Sequence, residues 1–170
     1  MYYLVTVDVD KCTGCGICEL VCSLYNEKEC NPEKSRTRVI RSEEDGIIYT
    51  IPVICQQCEK PLCLDLCPVT ALYRDSETGA VVVSEEKCIG CRRCVYVCPF
   101  GAITVDPEKQ TSVKCTLCDG EPKCVEFCPK EALQYVRSDK IAIRERREAV
   151  GKFLEYQKQL AVSPEAARKE

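Results

Sequence analysis

The sequence predicts a small α+β unit that is used twice and is followed by a helical tail. Two observations predict this fold. Cysteines recur in four groups of matched spacing, and the groups correspond in pairs along the chain. A strand, a cysteine-rich loop, a short helix and a second strand also recur in that order. Self-similarity of this kind indicates that one structural unit is duplicated.

Four groups of four residues account for sixteen of the seventeen cysteines. In each group two residues separate the first pair of cysteines and three residues separate the last pair. The groups are Cys12, Cys15, Cys18 and Cys22; Cys55, Cys58, Cys63 and Cys67; Cys88, Cys91, Cys94 and Cys98; and Cys115, Cys118, Cys124 and Cys128. Pro68, Pro99 and Pro129 follow the last three groups at once, whereas Ser23 follows the first.

The correspondence between groups is visible in the offsets. The first group and its preceding Val9-Asp10-Lys11 match the third group and its preceding Glu85-Glu86-Lys87, with Cys12 and Cys88 lying 76 residues apart. The second and fourth groups begin 60 residues apart. The chain therefore reads as a duplicated unit with two cysteine groups in each copy.

This spacing is typical of 4Fe–4S clusters. Three neighbouring cysteines let a loop wrap one cubane, and the fourth lies one helical turn further on and ligates the other cluster of a pair. Gly14, Gly16 and Gly90 let backbone N–H groups approach the sulfurs, and proline then turns the chain away. The pattern predicts four 4Fe–4S clusters on sixteen cysteines. Spacing alone leaves two pairings open, one joining consecutive groups and one nested.

Two other uses of cysteine are less favoured. Zinc sites usually combine two Cys-x2-Cys pairs separated by a finger of about twelve or more residues, which is not the pattern here. A disulfide scaffold belongs to oxidising compartments. Cys30 stands outside the four groups and is predicted to be a bystander thiol in a loop.

Composition limits the location and the partners. Met1–Asp8 lacks the basic start and apolar stretch of a secretory signal, and no run of eighteen apolar residues occurs, so we expect a cytoplasmic protein without direct membrane insertion. The formal net charge is −3. Four clusters with their thiolates, each carrying about two negative charges, would bring it to roughly −11. No nucleic-acid partner is expected for a protein with such a negative net charge.

No residue set in the sequence performs bond chemistry. The chain contains no histidine, which excludes Ser-His and Cys-His nucleophile pairs and a Rieske cluster. It also lacks a G-x4-G-K-[ST] loop and a G-x-G-x-x-G turn after a strand. We therefore expect no catalytic residues and no enzyme activity in this chain.

The predicted order of helices and strands is based on the alternation of apolar and polar residues, on β-branched residues and on turn residues. We predict a short helix over 17–25 and a polar loop over 31–37. The predicted strands are 3–9, 38–40, 47–53, a strand ending at Val83, a strand over 100–105 and one over 132–136.

Residues 144–170 differ in composition from the rest. Apolar residues from Ala149 to Leu160 recur near one helical face, and Arg and Lys occupy the others, until Ser163-Pro164 ends the pattern. Two interpretations remain open for this helical tail. It packs on its own domain, or it docks on a partner subunit. A membrane-surface helix is disfavoured because the apolar stripe is thin.

Over roughly residues 3–140 the chain resembles the four-cluster ferredoxin-like subunits of molybdenum and tungsten oxidoreductases. The second group, Cys-x2-Cys-x4-Cys-x3-Cys-Pro, and the serine after the first group carry the resemblance. Cys22-Ser23-Leu24-Tyr25, Asn31-Pro32, Ser35-Arg36 and the short fourth group are similar to the small subunits of aldehyde-oxidoreductase-type tungsten enzymes. Cys30 is a departure, because the family would have an aromatic residue there.

The resemblance implies the nested pairing. Its four ligand sets are Cys12, Cys15, Cys18 and Cys128; Cys88, Cys91, Cys94 and Cys67; Cys55, Cys58, Cys63 and Cys98; and Cys115, Cys118, Cys124 and Cys22. The fold implied is two ferredoxin-like two-cluster halves related by a pseudo-twofold duplication. Residues 1–47 and 105–143 form the outer half, 48–104 the inner half and 144–170 the tail.

The function implied is electron relay between a catalytic subunit and a soluble carrier, such as a ferredoxin, or a further redox subunit. The catalytic partner implied is a tungsten or molybdenum pterin enzyme of the aldehyde oxidoreductase type. Alternatives are a free-standing polyferredoxin, or a companion subunit of a benzoyl-coenzyme A reductase, a carbon monoxide dehydrogenase or a hydrogenase. A maturation factor that inserts clusters elsewhere is a further alternative.

Overall fold

Short strands and helices alternate with the cysteine loops in the structure, a computed structural model that describes residues 2–44 and 46–141. The strands are β1 Tyr3–Val7, β2 Arg38–Glu44, β3 Ile47–Val53, β4 Leu72–Arg74, β5 Val81–Val83, β6 Ile103–Val105, β7 Ser112–Lys114 and β8 Leu133–Arg137. The α-helices are α1 Ile17–Glu27, α2 Leu62–Asp65, α3 Arg93–Val97 and α4 Lys123–Glu126. A single 3₁₀ turn occupies Pro32–Lys34, and Leu117–Gly120 is a turn whose backbone has positive φ.

The strands of the described chain pair into two-stranded sheets. β2 and β3 form an antiparallel hairpin in which Arg38 faces Val53, and β4–β5 and β6–β7 are shorter antiparallel pairs. β1 pairs with β8, so the first and last strands lie side by side. Tyr3 of β1 and Tyr135 of β8 stack with their ring centroids 4.9 Å apart. Two-stranded sheets are marginal alone, so these pairs depend on what they pack against.

The helices meet in a nested order. α1, which follows the first cysteine loop, packs on α4 of the last, and α2 of the second group packs on α3 of the third. Together with the β1–β8 pair, these contacts join residues 3–27 to residues 123–137, on either side of the second and third cysteine groups. The arrangement supports the division into an outer half of residues 1–47 and 105–143 and an inner half of 48–104, which stays a prediction.

Cysteine is a main component of the interior. Within the described residues, seven of the nineteen buried apolar side chains are cysteines. One buried cluster gathers Val5, Ile54 and Leu117 with cysteines of the first, second and fourth groups. A smaller one gathers Leu72 and Ile103 with Cys94. The apolar residues therefore surround thiols and do not form a continuous hydrocarbon core.

The α+β class and most predicted elements are confirmed. α1 extends two residues beyond the predicted 17–25, β2 continues four residues beyond 38–40, and the predicted loop 31–37 contains the 3₁₀ turn. The sequence analysis missed β4 and β7, which are as short as the predicted β5 and β6 but lack their runs of β-branched residues. Duplication of the unit stays a prediction.

The chain divides into two compact units, Met1–Val136 and Arg137–Glu170. All four cysteine groups belong to the first unit. In the second, Arg137 pairs with Asp139 at 2.7 Å. The predicted helical tail, 144–170, lies outside the described residues. Searching residues 2–44 and 46–141 finds no helix with the length and apolarity that a bilayer crossing requires.

Two glycines with left-handed backbone allow a matched test of packing at the third cysteine loop. Gly90 has a φ of +64°, and a Cβ added there would clash with the carbonyl oxygen of Gln110. Gly101 has a φ of +61°, but a Cβ added there meets nothing within 4 Å.

We expect Gly101→Ala to cost about 1 kcal/mol, the conformational penalty of the left-handed region alone. Gly90→Ala should cost more and release iron, because the third loop or the turn at Gln110 must move. Iron content and thermal unfolding midpoints of both variants measure this. Equal behaviour of the two variants would contradict the close packing at Gly90.

Candidate metal centres

The first cysteine group and the last cysteine of the fourth group line one hollow. Cys12, Cys15, Cys18 and Cys128 face it, and the β2–β3 hairpin closes one side. Cys18 lies in the first turn of α1, and Gly16 precedes that helix with a φ of +75°. The loop can therefore turn sharply enough to place three thiols from a seven-residue stretch around one hollow.

The second group and the last cysteine of the third group line a larger hollow of about 210 Å³. Cys55, Cys58, Cys63 and Cys98 face it. α2 and α3, which pack on each other, hold Cys63 and present Cys98 at the C-terminal end of α3. The side chain of Lys114 lines the same hollow.

The third group and the last cysteine of the second group line a third hollow. Cys88, Cys91, Cys94 and Cys67 face it, and Ser112 of β7 closes one side. The Ser112 backbone N–H donates to the Cys88 sulfur at 3.3 Å, and the Ser112 hydroxyl lies 3.2 Å from the Cys94 sulfur. β7 therefore supports two of these four thiols.

The fourth group lies next to the last cysteine of the first. Burial raises the pKa of the Cys124 thiol far above its usual range, and the charges of Cys115 and Cys22 raise it further. Burial also raises the pKa of Cys118, with a smaller contribution in the same direction from Cys22. Cys22 lies in α1 and Cys124 lies in α4, and the packing of these two helices brings the last cysteine of the first group to the fourth group.

The local sequence around Cys22 explains the serine at position 23. Ser23 is completely buried, its hydroxyl donates to the Leu20 carbonyl at 2.9 Å, and it accepts from the Asn31 N–H at 3.1 Å. The Arg36 N–H donates to the Cys22 sulfur at 3.4 Å. α1 continues to Glu27, which proline at position 23 would prevent. Ser23, Asn31 and Arg36 are thus part of the support of Cys22.

Backbone N–H groups also favour the charged form of several sulfurs. Burial acts to raise the pKa of Cys67, but N–H groups of Leu72, Val69, Ala71 and Thr70 outweigh it and lower that pKa. The Ala71 N–H lies 3.2 Å from the Cys67 sulfur, and the Leu117 N–H lies 3.4 Å from that of Cys115. Such donors stabilise a thiolate, the form that binds iron.

At other cysteines, burial has the largest effect on the pKa of the thiol. It raises the pKa of Cys18 and of Cys115 to about 12 and that of Cys63 to about 11. In Cys18 the charges of Glu19 and Cys15 add to the effect. These thiols are therefore neutral near pH 7 in the absence of iron, and binding of iron must displace their protons.

The donor set fits iron–sulfur clusters. All seventeen cysteines are free thiols, and none is joined in a disulfide. Among residues 2–44 and 46–141, no three His, Cys, Asp or Glu side chains converge around a point that could hold a single metal ion. A cubane has the opposite requirement, because each thiolate binds a different iron. Sulfurs spread around a hollow and supported by N–H donors meet that requirement.

A model of the 4Fe–4S dicluster domain matches residues 47–138, and a model of the 4Fe–4S binding domain matches residues 5–23. The polyferredoxin-like subunit of an aliphatic sulfonate oxidoreductase from Pyrococcus furiosus is 46% identical over 124 residues, covering 73% of this chain and 70% of the relative. The chain belongs to the 4Fe–4S ferredoxin-type electron-transfer subunits of oxidoreductases.

Other relatives of this electron-transfer subunit also come from oxidoreductases. One subunit of the anaerobic dimethyl sulfoxide reductase of Escherichia coli is 37% identical over 153 residues, covering 79% of this chain and 73% of the relative. The thiosulfate reductase electron transfer subunit PhsB of Salmonella typhi is 32% identical over 153 residues, covering 84% and 79%.

The fold was also compared with solved structures. The active site complex BamBC of benzoyl coenzyme A reductase contains a polypeptide that is 25% identical, with coverage of 87% of this chain and 89% of that one. The TM-score is 0.45, which is too low for this likeness to bear on function.

Cys30 lies apart from the three hollows. It is exposed, between the end of α1 and the 3₁₀ turn at Pro32–Lys34. Its predicted role as a bystander thiol stays a prediction.

Sequence reasoning missed two buried polar residues near the second hollow. Gln57 is completely buried, and Lys114 is 2% exposed. Gln57 sits within the Cys55–Cys58 spacing and Lys114 directly precedes Cys115, so adjacency to a ligand was the one available signal. Their burial depends on contacts between distant segments, which periodicity does not report.

Two serine substitutions test the ligand assignment. We expect Cys58→Ser to lose or convert one cluster, because Cys58 is one of four thiols around the second hollow. Cys30→Ser should leave the iron content unchanged, because Cys30 lines none of the three hollows. Iron and sulfide analysis of anaerobically purified variants measures both. Loss of a whole cluster in Cys30→Ser would show that the ligand list is wrong.

Proposed function

We propose that the chain carries four 4Fe–4S clusters on sixteen cysteines in the nested arrangement. Its ligand sets are Cys12, Cys15, Cys18 and Cys128; Cys88, Cys91, Cys94 and Cys67; Cys55, Cys58, Cys63 and Cys98; and Cys115, Cys118, Cys124 and Cys22. The observation that carries the proposal is the lining of three hollows, each by three cysteines of one group and the last cysteine of its partner group.

Each 4Fe–4S cluster, when bound, supplies a site that accepts and returns one electron without bond making. The chain's own residues bind, support and shield these sites. Cysteine thiolates bind the iron, and backbone N–H groups such as that of Ala71 donate to the sulfurs. Apolar residues such as Ile54 and Leu117 exclude water from the interior. This division of roles fits a relay and provides no group for substrate chemistry.

The proposed role is to relay electrons between a catalytic oxidoreductase subunit and a soluble carrier or a further redox subunit. The names of the relatives support a catalytic partner, because all three are subunits of oxidoreductases. The proposed partner type is a tungsten or molybdenum pterin enzyme of the aldehyde oxidoreductase type. Its support is the resemblance at Cys22-Ser23, Asn31 and Ser35-Arg36. Of these residues, Asn31 donates to Ser23, the neighbour of Cys22, and the Arg36 N–H donates to the Cys22 sulfur. The proposed location is cytoplasmic.

Metal analysis tests the number of clusters. Protein purified without oxygen should contain about sixteen iron and about sixteen sulfide per chain, because four cubanes each have four of both. Zinc in stoichiometric amount, or about eight iron per chain, would contradict the proposal.

A structure of the loaded protein tests the pairing. We expect the Cys22 sulfur to bind the cluster held by Cys115, Cys118 and Cys124, because α1, which contains Cys22, packs on α4, which contains Cys124. Cys22 bound to the cluster of Cys55 and Cys58 would establish the consecutive pairing.

Purification of the native complex tests the partner. We expect a stoichiometric larger subunit containing tungsten or molybdenum, measured by mass spectrometry of the subunits and elemental analysis. A larger subunit without either metal would contradict the partner type. A chain that purifies alone from native extracts would favour the free-standing polyferredoxin.

A further inference from the structure

Lys114 is a buried lysine at the junction of two cysteine groups. It ends β7, directly precedes Cys115 of the fourth group and is 2% exposed. Its side chain runs toward the second group and lines the hollow of Cys55, Cys58, Cys63 and Cys98. Burial of a lysine is costly unless its charge is compensated, so its position requires an explanation.

The contacts of the amino group fit the charged form. Lys114 Nζ donates to the Val81 carbonyl oxygen, to the Cys115 carbonyl oxygen at 3.1 Å and to Gln57 Oε1 at 3.5 Å. An ammonium has three donors and no acceptor, and here it meets three acceptors. All three acceptors are uncharged, so these contacts orient the positive charge without neutralising it.

Gln57 holds this arrangement in place. Its Nε2 donates to the Cys115 carbonyl at 2.9 Å, while its Oε1 accepts from the Val81 N–H at 2.8 Å as well as from Lys114. Gln57 and Lys114 therefore connect the second group, the fourth group and β5 through buried hydrogen bonds. A buried network in which the polar groups are satisfied keeps its geometry, because alternative positions leave polar atoms unpaired.

The charge of Lys114 acts on thiols of both groups. Burial, the larger effect, raises the pKa of Cys63, and Lys114 opposes that rise. The same opposition from Lys114 is present at Cys58 and Cys115, where burial again dominates. Lys114 lines the same hollow as the four cysteines, so once iron replaces the protons of these thiols, the thiolates and the bound cluster are the negative charge that faces its amino group.

We propose that Lys114 tunes the reduction potential of the cluster held by Cys55, Cys58, Cys63 and Cys98, raising it by keeping a buried positive charge beside it. The inference rests on the proposed ligand set. Reduction adds one electron and one negative charge, with no bond formed or broken and no proton transferred. A fixed cation in a poorly screened interior favours the reduced state. Lys114 is thus a positioning residue for electron transfer and touches no substrate.

Lys60 provides a matched control. It lines the rim of the same hollow but is exposed. Water and salt screen an exposed charge strongly, whereas a buried one is screened much less. Removal of either lysine changes the net charge of the protein equally, so a difference between the two variants isolates the effect of burial.

The test is a mediated redox titration of the full chain with dithionite as electron donor, monitored by electron paramagnetic resonance. In Lys114→Met we expect the reduced-to-oxidised ratio of one cluster, at fixed ambient potential, to fall about tenfold, or about 59 mV for a one-electron couple. That cluster should be the one lost in Cys58→Ser. Lys60→Met should change the ratio less than about twofold.

A second variant decides the matter if Lys114→Met loses iron. Gln57→Glu is isosteric and places a carboxylate against Lys114 Nζ, so it should lower the same potential while Lys114 remains. An unchanged reduction potential in Lys114→Met would overturn the proposal. If Lys114→Met loses iron, an unchanged potential in Gln57→Glu would overturn it instead. A shift in Lys60→Met as large as that in Lys114→Met would also overturn it. Iron analysis of the wild-type protein distinguishes failure of this proposal from failure of the proposed cluster scheme. Wild-type protein with clearly fewer than about sixteen iron per chain would contradict the scheme itself.

Discussion

Burial of thiolates is the constraint on which the rest of this molecule depends. The interior contains cysteine where other proteins of this size have leucine or isoleucine, and burial drives the pKa of Cys18 and Cys115 to about 12. Such a centre is unfavourable unless cations occupy it. Bound iron supplies the compensating charge, so the free energy of metal binding becomes folding free energy, as in other small metal domains.

The short elements follow from this constraint. α2 and α4 contain four residues each, and β4 to β7 contain three. Helices and strands of this length are not stable alone. These helices and strands hold cysteines at fixed positions around a hollow. Iron bound by the cysteines would in turn stabilise the helices and strands. The longer β2–β3 hairpin and α1 are exceptions, and both flank the first hollow.

The differences between the cysteine groups have a physical cause in the neighbouring structure. Pro68, Pro99 and Pro129 follow cysteines at or just beyond the ends of short helices, where the chain must leave the site. Ser23 instead lies inside α1 and accepts from the Asn31 N–H, which draws the following loop back toward Cys22. The loop then places the Arg36 N–H on the Cys22 sulfur. A serine in this position lets the helix continue to Glu27 and also helps to hold Cys22 in place.

The junction between the two predicted halves is polar as well as apolar. Lys114, Gln57 and Cys115 connect segments that are 57 residues apart or more through buried hydrogen bonds, and β5 of the inner half contacts β7 of the outer half. Two sites joined through a single buried cation respond to each other's charge. Under the proposed ligand sets, these two sites would be the clusters of the second and fourth groups.

The sequence by itself determined the local parts of this protein. Three cysteines at close spacing, a glycine that can adopt positive φ and a following helical turn form a loop whose geometry depends on neighbours along the chain, so α1 and the grouping of three cysteines around one hollow were predictable. Tertiary structure alone decided which distant cysteine joins each hollow, as Cys98 joins Cys55 and Cys128 joins Cys12. It also decided the burial of Lys114. These features arise from contacts across fifty or more residues of chain or from the packing of separate segments, and spacing leaves such contacts open because more than one pairing satisfies the same local geometry.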